Sequence, residues 1–237
     1  MKIATINYSG SAGKTVAATH LFKPRMPGAV FFAVESINQS ASDLGVENVQ
    51  QLQGRNSGVL LENLILEDHA IIDIGASNIE SFFEDASRYA NAIDEFDLFV
   101  IPVTAEQKNW QESLKTVEAL AAIGVPPEKI RLLPNRIVKD PVEEIPAIFN
   151  YVKKTKKAWI NPAAFIFESE IYGYLAHKKI SFASLLDDSI DYRALARAEE
   201  NPEKRTEFAR MFRWKSMAIP VNNNLDDCFR LLTQPGA

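Results

Sequence analysis

The sequence lacks several features that would assign it to a class of protein directly. Cys228 is its one cysteine, so no disulfide can form within the chain, which is usual for a reducing compartment. The apolar segment around this cysteine predicts a small core residue. The three histidines show no metal-ligand spacing and form no Ser/His/Asp set. These absences disfavour disulfide scaffolds, histidine metal centres and triad hydrolases.

Long apolar runs and an excess of basic residues are also missing. No stretch is long and apolar enough to cross a bilayer, and residues 1–6 are typical of a strand rather than a signal peptide, so we expect a cytoplasmic protein. The formal net charge is -5, so direct DNA binding is expected to be weak or absent. One dense basic run, at 153–157, is interpreted as a solvated helix end or as a contact for DNA, anionic lipid or an acidic partner.

The order of apolar and helical segments predicts the fold class. Continuous apolar strands separated by helices favour a parallel sheet covered on both faces, so we expect an α/β fold with a doubly wound, mainly parallel sheet and right-handed crossovers. The predicted strands are residues 2–7, 29–34, 69–74, 98–103 and 130–133, and the predicted helices are residues 13–21, 57–67, 80–91, 107–123 and 141–152.

The last third has a weaker pattern and is interpreted as the end of the sheet with a helical C-terminal extension. We expect one domain over residues 1–237, with a core at 1–160 and a strand and helical part at 161–237. The predicted elements there are a strand at 163–167, helices at 172–178 and 191–213 with a break at 201–202, and a turn or helix cap at 222–224 before a short helix through residue 232.

A glycine loop follows the first predicted strand. Such a loop binds phosphate through backbone N–H groups at a helix N-terminus, with a lysine on the β and γ phosphates and a Ser or Thr hydroxyl on Mg²⁺. The strict pattern has glycine where this chain has Tyr8, and the alternative is an ordinary βα turn with a chance lysine. The loop predicts ATP and Mg²⁺ as cofactors and the nucleotide-binding residues Ser9, Gly10, Ser11, Ala12, Gly13, Lys14, Thr15 and Val16.

Other polar residues lie at or just after the carboxyl ends of the remaining predicted strands. Ligands of open α/β sheets bind outside the carboxyl ends of the strands, so these residues are expected to lie beside the glycine loop. They are residues 35–38, Asp73, Thr104 and Asn135.

The loop resembles the deviant Walker A loop of the ParA/MinD family of dimeric ATPases, which runs Lys-Gly-Gly-x-Gly-Lys-[Ser/Thr]. Gly10, Gly13, Lys14 and Thr15 match that pattern, and Ser11 replaces a glycine. Ser9 stands where the family has the lysine that reaches across the dimer to the partner's nucleotide. The resemblance implies the P-loop NTPase fold and an ATP-dependent homodimer.

The same resemblance implies roles for residues after the later strands. Ile71-Ile72-Asp73 is similar to a Walker B strand, whose Asp holds Mg²⁺ through water, so Thr15 and Asp73 are the implied metal residues. An Asp at a strand end can instead cap the next helix. Asn135 matches the asparagine that reads the adenine edge, with Arg136 beside it, although Asn is also a common turn residue. Glu168 falls near the family's last base-flanking loop.

Three short motifs narrow the resemblance to the StbB family of plasmid stability proteins. They are residues 1–10, 33–38 and 73–78, and they occur in order within the first 140 residues. That family is encoded on conjugative plasmids beside the DNA-binding protein StbA. The resemblance therefore implies a switch in plasmid stability, partition or conjugative transfer, with an StbA-like partner.

The expected chemistry is weak ATP hydrolysis. ParA/MinD proteins carry Asp-x-Asp after the second strand, where this chain has Glu35-Ser36-Ile37. Glu35 replaces the first carboxylate, so Lys14, Glu35 and Asp73 are the implied catalytic residues. Ile37 cannot polarise water, and the loss of such a contact typically costs about 10²–10⁴-fold in rate, so we expect a slow ATPase that needs a partner. Asn38 is an alternative group for orienting the water.

Two other functions stay open at this point. One is a metabolic P-loop enzyme, such as a small-molecule kinase or an ATP-dependent ligase, although no convergent set of polar substrate residues is visible. The other is a scaffold that does not hydrolyse ATP. The final segment, 225–232, is short and carries two Asp, which disfavours a MinD-like membrane helix.

Overall fold

The strands form one parallel sheet in the computed structural model, which describes residues 1–34, 46, 48–52, 57–89 and 91–234. Within these residues the sheet has seven strands in the order β3-β2-β4-β1-β5-β6-β7, and every pair is parallel. The strands are β1 (Lys2–Thr5), β2 (Val30–Val34), β3 (Val49–Leu52), β4 (Ala70–Ile74), β5 (Leu98–Val103), β6 (Ile130–Ile137) and β7 (Ile166–Phe167).

The helices connect these strands on both faces of the sheet. The first helix starts as α1 (Lys14–Val16) and continues through a π-helical segment, Ala17–Phe22, and a 3-10 turn, Lys23–Arg25. The other helices are α2 (Ser57–Leu66), α3 (Ile79–Arg88), α4 (Gln107–Ala122), α5 (Pro141–Glu144), α6 (Pro146–Thr155), α7 (Ile171–Lys178), α8 (Phe182–Asp187), α9 (Tyr192–Ala198) and α10 (Pro202–Thr233).

Two hydrophobic cores lie on the two faces because successive strand residues point to opposite sides. Ile71 of β4 packs into a core with the first helix, α7, α8 and α10. Ile72, the next residue, packs into the other core with α2, α3, α4 and α6. The expected doubly wound α/β architecture is therefore confirmed. Because β1 lies at the centre of the sheet, the segment that follows it emerges at the middle of the carboxyl edge.

Several elements differ from the sequence predictions, among them β3, the middle of α10, the helix α8, which was not predicted, and β7, which is shorter than the strand predicted at 163–167. The edge strand β3 was not predicted, since Gln50 and Gln51 interrupt any apolar run and leave it without the pattern of a buried strand. The prediction of a turn or cap at 222–224 is wrong, because these residues lie inside the continuous helix α10, as does Pro220. The predicted break at 201–202 is confirmed, with Asn201 as the N-cap of α10.

Packing explains why α10 runs through its three asparagines. Its buried residues extend from Trp214 to Leu232, including Cys228, so tertiary contacts outweigh the weak helix propensity of Asn. Two of the asparagines also attach the helix to its neighbours. Asn222 accepts hydrogen bonds from Arg25, and Asn224 donates to the carbonyl of Phe165 at 3.0 Å.

No helix among the described residues is both long enough and apolar enough to cross a membrane.

Candidate nucleotide-binding site

The glycine loop joins the central strand β1 to α1 at the carboxyl edge of the sheet. Gly13 has φ +92°, in the left-handed region that favours glycine. A β-carbon built on Gly13 would lie 2.3 Å from Nδ2 of Asn135, so the position also has no room for a side chain. Gly10 is exposed and has nothing within 4 Å of such an atom. The fold therefore requires glycine at position 13, whereas no protein atom crowds a side chain at position 10.

Asn7 fixes the start of the loop to the sheet. Its buried Nδ2 donates to the carbonyl of Pro102 at 2.7 Å and to Oγ of Ser113 at 2.8 Å, and its Oδ1 accepts from the backbone N–H of Ser9 at 2.8 Å. These bonds connect the loop to β5 and to α4. The sequence pattern did not identify Asn7 as a site residue, although its position at the end of the first predicted strand, next to the glycine loop, could have indicated such a role.

Tyr8, which replaces the first glycine of the strict pattern, packs against two neighbouring helices. The ammonium of Lys115 lies 4.0 Å from the centre of its ring, and the ring of Phe83 lies 6.1 Å away. Its backbone N–H donates to Oγ1 of Thr116 at 3.1 Å. The tyrosine thus adds contacts to α3 and α4 at the base of the loop.

The side chain of Lys14 is folded into the loop. Only 5% of the residue is exposed, and Nζ donates to the carbonyls of Ser9 at 2.6 Å and Asn7 at 3.1 Å. A positive charge is therefore held within the curve of the backbone, at the N-terminus of the first helix. This arrangement of charge and helix N-terminus suits an anion.

Asp73 lies beside the lysine at the end of β4. The sheet register places it next to Thr5, whose hydroxyl donates to Oδ1 at 2.9 Å, and the hydroxyl of Thr15 forms a second hydrogen bond. Burial raises the pKa of Asp73, and the bonds from Thr15 and Thr5 and the charge of Lys14 lower it only in part. In this structure the carboxylate accepts hydrogen bonds from these two hydroxyls. The N-terminus of α3 has no side-chain cap, so Asp73 does not cap that helix.

This pair of oxygen-bearing side chains fits a magnesium ion. Mg²⁺ prefers hard oxygen ligands and is usually held by one or two protein groups together with phosphate and water. The Thr15 hydroxyl and the Asp73 carboxylate provide such oxygens next to the loop. The described residues contain no group of three or more His, Cys, Asp and Glu side chains that would suit another metal.

Asn135 and Arg136 lie at the end of β6, against the other side of the loop. Nδ2 of Asn135 donates to the carbonyl of Ala12 at 2.8 Å, and its Oδ1 accepts from the N–H of Arg136 at 3.0 Å. Arg136 itself is exposed and has φ +57°. Asn135 thus supports the loop directly, and its reading of adenine stays a prediction.

An open cavity of about 240 Å³ lies between the loop, the ends of β6 and β7, and α7. It extends from the N-terminus of the first helix, so a base joined to a phosphate in the loop would lie in this direction. Glu168, which the sequence placed near a base-flanking loop, is part of its wall. The lining residues are Gly13, Val16, Asn135, Arg136, Phe167, Glu168, Ser169, Tyr172 and Gly173.

The structure brings together most of the predicted site residues. Ser9 is buried, and its Oγ lies 3.5 Å from Oγ of Ser11, which is exposed at the rim of the loop. The predicted catalytic residue Glu35, with Ile37 and Asn38, lies outside the described residues.

Solved structures with the same fold are known. MinD from Aquifex aeolicus superposes with a TM-score of 0.57 at 13% identity, over 100% of this chain and 98% of that one. Apo McdA from Cyanothece gives 0.51 at 18% identity, over 92% and 98%. MinD from Pyrococcus horikoshii, complexed with Mg-ADP, gives 0.50 at 12% identity, over 99% of both chains. The chain has the MinD/ParA fold of P-loop NTPases.

These similarities establish the fold, with the long helix α10 at its C-terminus. No family model and no curated protein matches the sequence.

Proposed function

We propose that this protein is an ATP-binding switch of the ParA/MinD type, which hydrolyses ATP slowly and acts in plasmid stability, partition or conjugative transfer. The observation that carries the proposal is the convergence of Lys14, Thr15 and Asp73 at the loop after the central strand. The backbone of the loop and Lys14 would hold the phosphates, while Thr15 and Asp73 would hold Mg²⁺. Magnesium held there would supply positive charge next to the phosphates.

The base would lie in the cavity beside Asn135 and Arg136. Pyrococcus horikoshii MinD, which has the same fold, is complexed with Mg-ADP, and this supports a nucleotide as the ligand. Aquifex aeolicus MinD also forms a complex with MinC, which supports the idea that a partner protein acts on the switch. For this chain we propose an ATP-dependent homodimer and a DNA-binding partner similar to StbA.

Slow hydrolysis follows from two residues. Ile37 stands where a water-orienting Asp is expected, and this part of the proposal rests on the sequence alone. Ser9 stands where a lysine would reach across a dimer, and its short buried side chain contacts Ser11 of its own loop. Both replacements remove a polar or charged side chain that would lie next to the γ-phosphate. A second protein is therefore needed to supply the missing groups.

Titration with ATP, ADP and GTP in the presence of Mg²⁺ tests nucleotide binding. We expect Lys14→Ala to weaken ATP binding at least tenfold, because it removes a charge-assisted contact. Lys153→Ala is the matched control, since Lys153 is exposed at the end of α6, and it should change the affinity less than twofold. Equal ATP affinity of wild type and Lys14→Ala would overturn the proposal.

Turnover measurements separate the switch from its alternatives. We expect slow hydrolysis by the protein alone and acceleration by a DNA-binding partner protein encoded beside it. Rapid unstimulated hydrolysis would contradict the slow-switch proposal, and phosphoryl transfer to a small molecule would favour a metabolic enzyme. If plasmid maintenance is unchanged by Lys14→Ala, the scaffold alternative is correct.

A further inference from the structure

Acidic residues are concentrated in one segment of the chain. Residues 57–97 contain ten Asp and Glu and a single basic residue, Arg88. The whole chain has 31 acidic and 26 basic residues, so the remainder carries 21 acidic and 25 basic ones. The negative charge of the protein therefore comes from this segment, which forms α2, β4, α3 and the turn before β5.

The outward side of α2 is also unusually apolar. Ile65 is 61% exposed and Leu66 is 80% exposed, and Val59 is 42% exposed two turns earlier on the same helix. Tyr89, at the end of α3, is 46% exposed and covers Gly58. A shallow apolar groove runs between the two helices, lined by Leu60, Leu61, Leu64, Phe82, Asp85, Ala86, Tyr89, Ala92 and Phe96.

Acidic side chains surround these apolar residues. Glu62 is exposed on α2, and Glu67 follows its last turn. On α3, Arg88 is engaged with Asp85 at 3.0 Å and with Glu84 at 4.0 Å. Among the described residues, no basic side chain forms an ion pair with Glu62 or Glu67. We call Val59, Glu62, Ile65, Leu66, Glu67 and Tyr89 the α2–α3 surface; Glu67 is half-buried, and the other five are exposed.

We propose that the α2–α3 surface is a docking site for a basic amphipathic helix of a partner protein. Apolar anchors at i, i+3, i+4 and i+7 would pack against Val59, Ile65 and Leu66, and flanking Lys or Arg would face the acidic rim. Each of the two helices has ten residues and is about 15 Å long, which matches two to three turns of such a segment.

The charge of the surface distinguishes this occupant from others. Nucleic acid and anionic lipid carry phosphate and would be repelled by the acidic rim. A symmetric contact with the same surface of a second copy would place acidic groups against each other. A head-to-tail contact with another part of a second copy would generate a ring or an open chain rather than a two-fold dimer. The surface lies over β4 on the face opposite the first helix, so it does not depend on the proposed nucleotide function.

Binding of two model peptides to the full-length protein tests the proposal. The first is a helical peptide with Leu at i, i+3, i+4 and i+7 and Lys elsewhere, and the second has Glu in place of Lys. We expect the Lys peptide to bind at least tenfold more tightly than the Glu peptide. The apolar variant Ile65→Ser/Leu66→Ser should weaken its binding at least fivefold, although the net charge of the protein is unchanged.

Charge-reversal variants provide the matched control. Glu62→Lys/Glu67→Lys should weaken binding of the Lys peptide at least fivefold, whereas Glu128→Lys/Glu143→Lys, with the same change of net charge at exposed positions elsewhere, should change it less than twofold. Equal effects of the two double variants would overturn the proposal, as would full binding by the Ser variant. Concentration-dependent self-association of the wild type that Ile65→Ser/Leu66→Ser abolishes would identify a second copy as the occupant instead.

Discussion

Asn135 closes over Gly13 so tightly that its Nδ2 atom lies 2.3 Å from the place where a β-carbon on Gly13 would stand. The same amide donates to the carbonyl of Ala12 at 2.8 Å. The end of β6 therefore holds the glycine loop from one side, while Asn7 holds it to β5 and α4 from the other. These bonds fix the position of the loop, and a preorganised loop lowers the entropic cost of binding.

Gly13→Ala tests this close approach. The new β-carbon would meet Asn135, and an L-residue in the left-handed region costs about 1–2 kcal/mol, so we expect the free energy of unfolding to fall by about 2 kcal/mol. ATP affinity should fall at least tenfold in titration calorimetry. Gly28→Ala is the control, because nothing lies within 4 Å of its added atom. Wild-type stability and affinity in Gly13→Ala would contradict the geometry of the loop.

Asp73→Asn separates stability from metal binding. Burial raises the pKa of Asp73 above its ordinary value of 3.8, so the folded protein binds this proton more tightly than the unfolded chain. The free energy of unfolding therefore decreases as pH rises from about 4 through the folded-state pKa. Above that pKa the buried carboxylate is ionised, and the folded protein carries the full free-energy cost of this charge. We expect Asp73→Asn to flatten this decline and to raise the Tm of the nucleotide-free protein at pH 7.

The same variant should lose the Mg²⁺-dependent part of ATP binding, because an amide is a poorer magnesium ligand than a carboxylate. Titrations with and without Mg²⁺ measure this difference. Asp94→Asn, at an exposed position before β5, is the matched control and should keep the full response to Mg²⁺. A Mg²⁺ response in Asp73→Asn equal to that of the wild type would exclude Asp73 from the metal site.

Arg25 couples the helix after the loop to α10. Its guanidinium donates hydrogen bonds to the carbonyls of His20 and Leu21 and to the carbonyl and side-chain oxygens of Asn222. It also forms an ion pair with Asp226 at 2.7 Å. Arg25→Ala would remove all of these bonds from a side chain that is 9% exposed, so we expect a loss of about 2–3 kcal/mol in the free energy of unfolding.

Asp226→Asn is the matched comparison for Arg25→Ala. The carboxylate is 57% exposed, and an ion pair with an exposed partner contributes less than about 1 kcal/mol. Urea denaturation of the two variants measures both values. Equal losses would mean that the ion pair, rather than the bonds to carbonyls, makes the connection.

The sequence predicts the parts of this fold that are buried on both sides. β4 and β5 are almost entirely apolar, so their position and the polar residues at their carboxyl ends can be found without a structure. The edge strand β3 has no such run, and its strand state depends on pairing with β2. Likewise, α10 is helical through 222–224 because asparagine side chains in this segment form hydrogen bonds with Arg25 and with the backbone around β7. Local helix propensity does not predict such long-range bonds.

In the candidate site, too, residues with a local sequence pattern are predicted and residues that depend on long-range contacts are not. The residues with a recognised phosphate-loop pattern, Gly13, Lys14 and Thr15, were predicted from spacing. Asn7 was not, because its role depends on Pro102 and Ser113, which are about a hundred positions away in the chain. Contacts between distant segments need the sheet order, and the sequence pattern does not give that order.

His20 should make the protein sensitive to acid. It is 1% exposed, with the rings of Tyr172 and Phe182 at 5.7 and 5.4 Å, and burial lowers its pKa from 6.5 to about 4. Between these pH values the unfolded chain binds a proton that the folded protein does not, so stability falls as pH decreases from 6.5 to 4. The full loss is about 3 kcal/mol.

His20→Phe keeps a ring in this position and removes the titrating group. We expect its free energy of unfolding, measured in urea at intervals from pH 7 to pH 4, to decline less steeply than that of the wild type by about 3 kcal/mol over the range. Leu185→Ala truncates the same core without changing a titrating group, so it should lower stability by a similar amount at every pH. If His20→Phe and the wild type decline in parallel, the buried imidazole is not the source of the acid sensitivity.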